Sequence, residues 1–200
     1  VHFEFAAIAQ LVERRHGKAK VTSSNLVEGS INTWKGAGAA MDHLQMEDEG
    51  ILYQDRGHGN AVFITPQEDY CEIRGTYGGP SNHFHSCRKT SADRFWYVTN
   101  SDEKPRMAFI CEAAIDAVSL LLLRKEAGDT EPSVYISIGG VSNQKAIDRV
   151  KRRMPTVIAV DNDAAGERCR GLNRDVFSLI PSCKDWNEDL LNGVFDAAVH

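Results

Sequence analysis

The sequence has no long apolar run. Stretches such as Leu120 to Leu123 fall far short of the ~20 residues that a membrane-spanning helix needs, so no membrane partner is expected. Cysteine is sparse and unpatterned. Cys71, Cys87, Cys111, Cys169 and Cys183 make an odd count without a C-x-x-C pair, which argues against a disulfide framework and for a reducing, cytoplasmic setting. An excess of positive charge is also missing. Lys and Arg number 23 against 28 Asp and Glu, so bulk charge alone would not hold a polyanion, although a local basic groove beside an acidic site is compatible with this balance. There is no repeat and no low-complexity tract. The opening Val1-His2-Phe3 carries neither Met nor a basic-then-apolar leader, and from this a longer polypeptide with further domains is expected.

What is present is the ordinary make-up of a globular chain. With 200 residues, 42% hydrophobic and 26% charged, there is room for one large domain or two small ones. The polar, Pro-ended stretch Ser101-Asp102-Glu103-Lys104-Pro105 reads as a linker. It divides a small α+β domain, 1–105, from a second domain, 106–200.

In the first half, helical spacing runs from Phe3 to Arg15 and from Ala37 to Glu49. Short strands are predicted at Ile51 to Gln54, Ala61 to Thr65, Cys71 to Arg74 and Phe95 to Val98, with a turn over Asp55 to Asn60. In the second half, three apolar runs, Met107 to Cys111, Val134 to Ile138 and Val157 to Val160, alternate with three helical stretches. Those stretches are Ala113 to Glu126, Asn143 to Arg153 and Ala164 to Phe177. Apolar strands alternating with helices predict an α/β fold with a parallel sheet covered on both faces. Ligands of such sheets bind beyond the carboxyl ends of the strands.

Acidic residues occupy those ends. Glu112 follows the first apolar run, and Asp161 and Asp163 follow the third. Asp116 lies one helical turn beyond Glu112, and Asp185 in Lys184-Asp185-Trp186-Asn187 is placed to close the same site. Clustered carboxylates repel one another unless a cation neutralises them or one keeps a proton. Oxygen ligands suit Mg²⁺ or Mn²⁺ rather than zinc, and such an ion takes substrate phosphates as further ligands. The pattern therefore predicts phosphoryl transfer, with Glu112 off the metal as general acid or base. The bland alternative is that these acids serve the fold, Asp163 for instance capping the helix that starts at Ala164.

Three ordered motifs carry a family resemblance. Phe109 to Ala117 (F-I-C-E-A-A-I-D-A) resembles the glutamate motif of Toprim domains, and Ile158 to Gly166 (I-A-V-D-N-D-A-A-G) resembles their D-x-D motif. Lys184 to Leu190 (K-D-W-N-E-D-L), with Ser137 to Gln144, looks like the late K-D-x-N element and the second strand and loop of a Toprim subgroup found in mobile-element proteins. Toprim domains occur in bacterial primases, topoisomerases, small RNA-maturing nucleases and recombination proteins. The resemblance, over about 106 to 192, implies a Rossmann-like parallel sheet flanked by helices. It implies a catalytic Glu112, metal ligands Asp161 and Asp163, and Asp116 as a further acid of primase-like members. Nucleic acid, DNA above all, is the implied partner, and Arg74 and Lys184 are candidate contacts because they stand in matched motifs. Arg168 is a third, being the basic residue nearest the D-x-D. The first half, through Glu49 to Asp55, Asn60 to Phe63 and Ile73 to Thr76, resembles a domain of unknown function that precedes Toprim in mobile-element and plasmid proteins of Gram-positive bacteria.

The expected activity is thus a Mg²⁺- or Mn²⁺-dependent nucleotidyl transferase or nuclease, primase-like or DNA-processing, of a replication, conjugation or mobile-element protein. A non-catalytic module that binds DNA or a partner is the alternative. A haloacid-dehalogenase-like phosphatase, with Asp161 as nucleophile, is a third reading, but its motif opens a domain and here only 37 residues follow Asp163. Two positions depart from the Toprim pattern: Ala113 stands where Gly is usual, and Asn187 replaces a late Asp, which leaves open whether one or two ions bind. Elsewhere, His83, His85, Cys87 and Cys71 lack standard zinc spacing and read as loop residues. Arg149, Lys151, Arg152 and Arg153 read as a basic helix end. Trp34, Trp96 and Trp186 read as core.

Overall fold

The computed structural model describes residues 52–54, 60–75 and 84–195. The expected helices at Phe3 to Arg15 and Ala37 to Glu49, the turn before Asn60, Trp34 and His83 lie outside them. The described residues fall into two compact units that divide between Arg88 and Lys89.

The first unit holds an antiparallel sheet in the order β1 (Leu52–Gln54), β2 (Ala61–Ile64), β3 (Tyr70–Arg74), β4 (His85–Lys89). The apolar runs forecast the first three strands. His85 and Cys87, expected in a loop, instead lie on β4, a polar strand without the alternation that would betray it.

The second unit is built on a five-stranded sheet. Its members are β5 (Trp96–Thr99), β6 (Met107–Cys111), β7 (Ser133–Ser137), β8 (Thr156–Ile158) and β9 (Phe177–Ser178), in the order β5-β7-β6-β8-β9. All neighbours pair in parallel except β5, which runs antiparallel along β7. The stretch Ser101 to Pro105 is thus the connection from β5 to β6 within this unit.

The helices are α1 (Ala114–Glu126), α2 (Gln144–Lys151), α3 (Ala164–Leu172) and α4 (Trp186–Asn192). Alternation along the strands sorts them onto two faces. Ala108, Ile110, Val134, Ile136 and Ile158 pack with Ala146, Ile147 and Val150 of α2 and Cys169 of α3. Phe109 and Tyr135 stack on the other face, their ring centroids 5.2 Å apart, and Arg124 of α1 lies 4.1 Å over the Phe109 ring. α1 also packs on α4, so its Leu120, Leu121 and Leu123 are buried. This two-sided cover is what right-handed crossovers running in opposite directions, β6 to β7 and then β7 to β8, produce. No described helix is long and apolar enough to cross a membrane.

One helix ends earlier than its sequence predicts. α3 stops at Leu172, and Phe177 belongs to β9. The buried Asn173 side chain ends the helix: its Nδ2 donates to the Cys169 carbonyl at 2.9 Å, while Oδ1 accepts from Gln144 Nε2 at 2.9 Å and Lys151 Nζ at 3.2 Å.

Candidate active site

β6 and β8 are adjacent and parallel, with Phe109 opposite Val157 and Ile110 opposite Ile158. The ladder runs on through Ala159 N–H, which donates to the Ile110 carbonyl at 2.7 Å. The chain therefore leaves β6 at Glu112 and β8 at Asp161 side by side, at one edge of the sheet. The loop after β7 closes in next to them: Gly140 N–H donates to the Glu112 carbonyl at 3.1 Å. Gly139 and Gly140 both take positive φ, 63° and 105°, in making that turn.

Asp161 sits at the centre of this edge. Its Oδ1 is buried without a hydrogen-bond partner. Burial, and then the carboxylates of Glu112, Asp185 and Asp163, push its acid up to about 7, while Lys184 opposes the rise. Four acids from three separate loops thus share one electrostatic neighbourhood. Asp116 is buried in the first turn of α1, and its charge, with that of Asp161, adds to the effect of burial in holding the Cys111 thiol well above the usual range.

Asp163 and Asp185 cap helices. Asp163 Oδ1 accepts from Ala165 N–H and Gly166 N–H, both at 2.8 Å, at the start of α3. Asp185 Oδ1 accepts from Glu188 N–H at 2.8 Å at the start of α4, and Glu188 reaches back to Lys184 N–H at 3.0 Å, a reciprocal arrangement of capping-box type. Both caps land on Oδ1, so the second oxygen of each carboxylate is not spent on them. Among the described residues no three His, Cys, Asp or Glu side chains close round one point as metal ligands.

Several residues outside the acidic set hold the edge together. Gly166 lets α3 approach the end of β8, since a methyl group there would lie 1.9 Å from the Asp161 carbonyl oxygen. Arg170 donates to that same oxygen at 2.9 Å and to the Val160 carbonyl at 3.2 Å. Asn162 N–H donates to the Lys184 carbonyl at 2.8 Å and its Nδ2 to the Pro181 carbonyl at 3.2 Å, which ties the D-x-D loop to the Asp185 loop. The buried Asp189 carboxylate accepts from Ser182 N–H at 2.8 Å and Cys183 N–H at 2.6 Å. Trp186 is fully buried, and its indole N–H donates to the Ala159 carbonyl at 2.7 Å. Of these, Gly166 was visible in the motif. Asn162 bonds across some twenty residues of sequence, while Arg170 and Asp189 fold back on loops of their own neighbourhood, and no motif announced any of the three.

Ala113 fits the position where Toprim sequences usually carry Gly. It is the N-cap of α1 with φ −126° and ψ 161°, extended backbone that any residue adopts. Asn187 is buried on α4, and its Oδ1 lacks a partner among the described residues.

The proposed nucleic-acid contacts are dispersed. Arg168 is exposed on α3. Lys184 is exposed, with Nζ 3.9 Å from Asp185 Oδ2. Arg74 belongs to the first unit, where its Nε lies 3.4 Å from the buried Glu72 carboxylate, which also accepts from the Tyr70 hydroxyl at 3.0 Å.

The donor set is all oxygen, and Asp161 Oδ1 is a buried acceptor that a cation would satisfy. The residues present therefore fit a hard divalent ion.

Comparison with known proteins agrees with this geometry. The Toprim-like family model matches residues 109–190, from within β6 to within α4. No curated protein matches the chain. Among solved structures, the chain is similar to the primase fragment of the bacteriophage T7 primase-helicase protein, at 15% identity and a TM-score of 0.52, over 92% of this chain and 82% of that one. It is also similar to a chain from a bacteriophage T7 complex of lagging-strand DNA polymerase with primase domains bound to an RNA/DNA hybrid and dTTP. There the identity is 15% and the TM-score 0.52, over 80% of this chain and 85% of that one. At these identities the likeness is one of fold. Residues 109–190 of this chain are a Toprim-like domain, within a fold shared with phage primase fragments.

Proposed function

We propose that this chain is a divalent-metal-dependent phosphoryl-transfer module acting on nucleic acid, primase-like in architecture and most simply in activity. The observation that supports the reading is the buried, unpaired Asp161 oxygen at the β6/β8 edge, with Glu112, Asp163 and Asp185 near enough to raise its acid. Asp161, with Asp163 and Asp185, would hold the ion, and Asp116 backs the set from α1. When bound, Mg²⁺ or Mn²⁺ would offset negative charge on the substrate phosphate. Glu112, at the end of the neighbouring strand, would take the proton from the attacking hydroxyl on its carboxylate. Lys184 and Arg168, exposed beside the site, would meet the phosphate backbone, and Arg74 would do so from the first unit. Replication, conjugation and mobile-element transfer are the processes such a module would serve, in the cytoplasm and within a longer polypeptide.

The test has two parts. Calorimetric titration of Mg²⁺ and Mn²⁺ should show binding by the wild type and its loss in Asp161→Asn/Asp163→Asn. Primer synthesis and strand nicking, assayed with Mn²⁺ on single- and double-stranded substrates, should depend on Glu112. Equal metal binding by both proteins would count against the site.

The capping roles of Asp163 and Asp185 favour a second reading, a non-catalytic module that binds DNA or a partner domain through the same fold. Salt-sensitive DNA binding that persists in Glu112→Gln, with no turnover in either protein, would select it.

A further inference from the structure

The most exposed large apolar side chains described in the second unit are Leu172 and Phe177, 74% and 68% accessible. They flank the short turn from α3 into β9, an edge strand of the sheet. Basic residues are frequent on the same elements. Arg168 lies one helical turn before Leu172 on the same side of α3, and Arg174 is exposed in the turn itself. The end of α2 is fastened to this turn, because Lys151 Nζ donates to Asn173 Oδ1 at 3.2 Å and to Asp175 Oδ1 at 2.6 Å. That brings exposed Arg152 and Arg153 alongside.

Charge pairing separates these cations from their neighbours. Arg149 is paired with Asp93 and Lys151 with Asp175, whereas Arg152, Arg153, Arg168 and Arg174 have no carboxylate partner among the described residues. In a chain of net charge −5, four exposed guanidinium groups without a carboxylate partner among the described residues, on the elements that carry an exposed aromatic ring, are the reverse of the average surface. They match one chemistry: guanidinium groups for phosphates, and a ring face on which an unpaired base stacks. A duplex offers no free base face, so a single strand fits better. The patch also has a direction. α3 is capped by Asp163 in the candidate active site and runs nine residues, or about 13 Å, to Leu172, a distance that a few nucleotides cover.

We propose that Phe177 and the arginines around it form a second binding surface for single-stranded nucleic acid, which holds a strand whose other end reaches the Asp161 edge. The proposal rests on the reading of this chain as a nucleic-acid-processing module. The test is fluorescence anisotropy of a labelled oligothymidylate with the full 200-residue chain in EDTA, across a salt series. Phe177→Ala should weaken binding about tenfold, and Phe177→Trp should retain it, because only the stacking face matters. Arg153→Ala/Arg174→Ala should lower the slope of log affinity against log salt by about 1.4, two single-strand phosphate contacts. These positions are exposed, so melting temperatures should hold. Unchanged affinity in Phe177→Ala with an unchanged slope in Arg153→Ala/Arg174→Ala would overturn the proposal, as would a patch that binds an acidic peptide while these variants bind oligonucleotide normally. The two readings fail separately. Glu112-dependent turnover with unaltered binding by Phe177→Ala and Arg153→Ala/Arg174→Ala removes the second surface alone, and weakened binding in those two without any Glu112-dependent turnover removes the catalytic reading alone.

Discussion

Replacing Asp161 by Asn removes the charge at the centre of the site and keeps its shape. Burial and three neighbouring carboxylates push this acid up to about 7, about three units above an ordinary Asp. A carboxyl that holds its proton more tightly in the folded chain than in the unfolded one costs stability as pH rises. The cost is absent below about pH 4, grows as the unfolded chain ionises first, and is complete above about pH 7. Three units at ~1.4 kcal/mol each set a ceiling of about 4 kcal/mol. Asp161 is partly exposed and shares the repulsion with other acids, and that screening brings the figure to about 2 kcal/mol. Asn carries no charge at any of these pH values. In EDTA at pH 8, Asp161→Asn should therefore melt about 4–8 °C above the wild type. At pH 5 the gain should shrink to about a third. Saturating Mg²⁺ should reverse the order, since at a hundred times its dissociation constant it adds about 2.7 kcal/mol to the wild type alone. Differential scanning fluorimetry over pH and metal concentration reads all three. Equal melting of the two metal-free proteins at pH 8 would refute the crowding of negative charge on which the site depends.

Asp163→Asn should keep the α3 cap, with stability unchanged, whereas Asp163→Ala should cost about 1 kcal/mol; both should lose metal affinity by calorimetry if the residue is also a ligand. Gly166→Ala should destabilise by about 3 kcal/mol or more in denaturant melts, because the added methyl meets the backbone of Asp161 rather than a side chain that can turn away. Trp186→Ala should cost about 3–5 kcal/mol in the same melts, through the cavity and the lost bond to Ala159.

How much of this was legible in the sequence follows from the range of the interactions. β6, β7 and β8 are continuous apolar strands, and their placement fixed the positions of Glu112 and Asp161 at one edge before any coordinate was known. β5 was legible as a strand but not as the antiparallel edge of the second sheet, because its partner β7 lies more than thirty residues on. β9 is two residues long, too short for any periodicity to register, and it was absorbed into the helix before it. α4 was not predicted. Its N-terminus is written in Asp185 and Glu188, but its buried side includes Asn187 and Asp189, which read as surface until their burial is seen. Arg74 was legible as a conspicuous cation in a matched motif. That it faces a buried Glu72 on its own strand is a matter of packing that no motif states.

The capping and ligand readings of the D-x-D motif, opposed at the level of sequence, are parts of one arrangement. A helix N-terminus presents unpaired N–H groups and favours negative charge. Asp163 and Asp185 each give one oxygen to such a terminus, which fixes the orientation of the carboxylate and leaves the other oxygen for a further partner. Asp161 caps no helix. Its backbone is clamped by Arg170 and pressed by Gly166, so it is held where burial and its neighbours make its charge most costly. The fold thus supports two of these carboxylates with helix termini and leaves the third with only the partial opposition of Lys184. That unmet charge is where the binding energy of a divalent ion would be largest, and it is the reason the stability of the metal-free protein and the chemistry of the site should answer to the same residue in opposite directions.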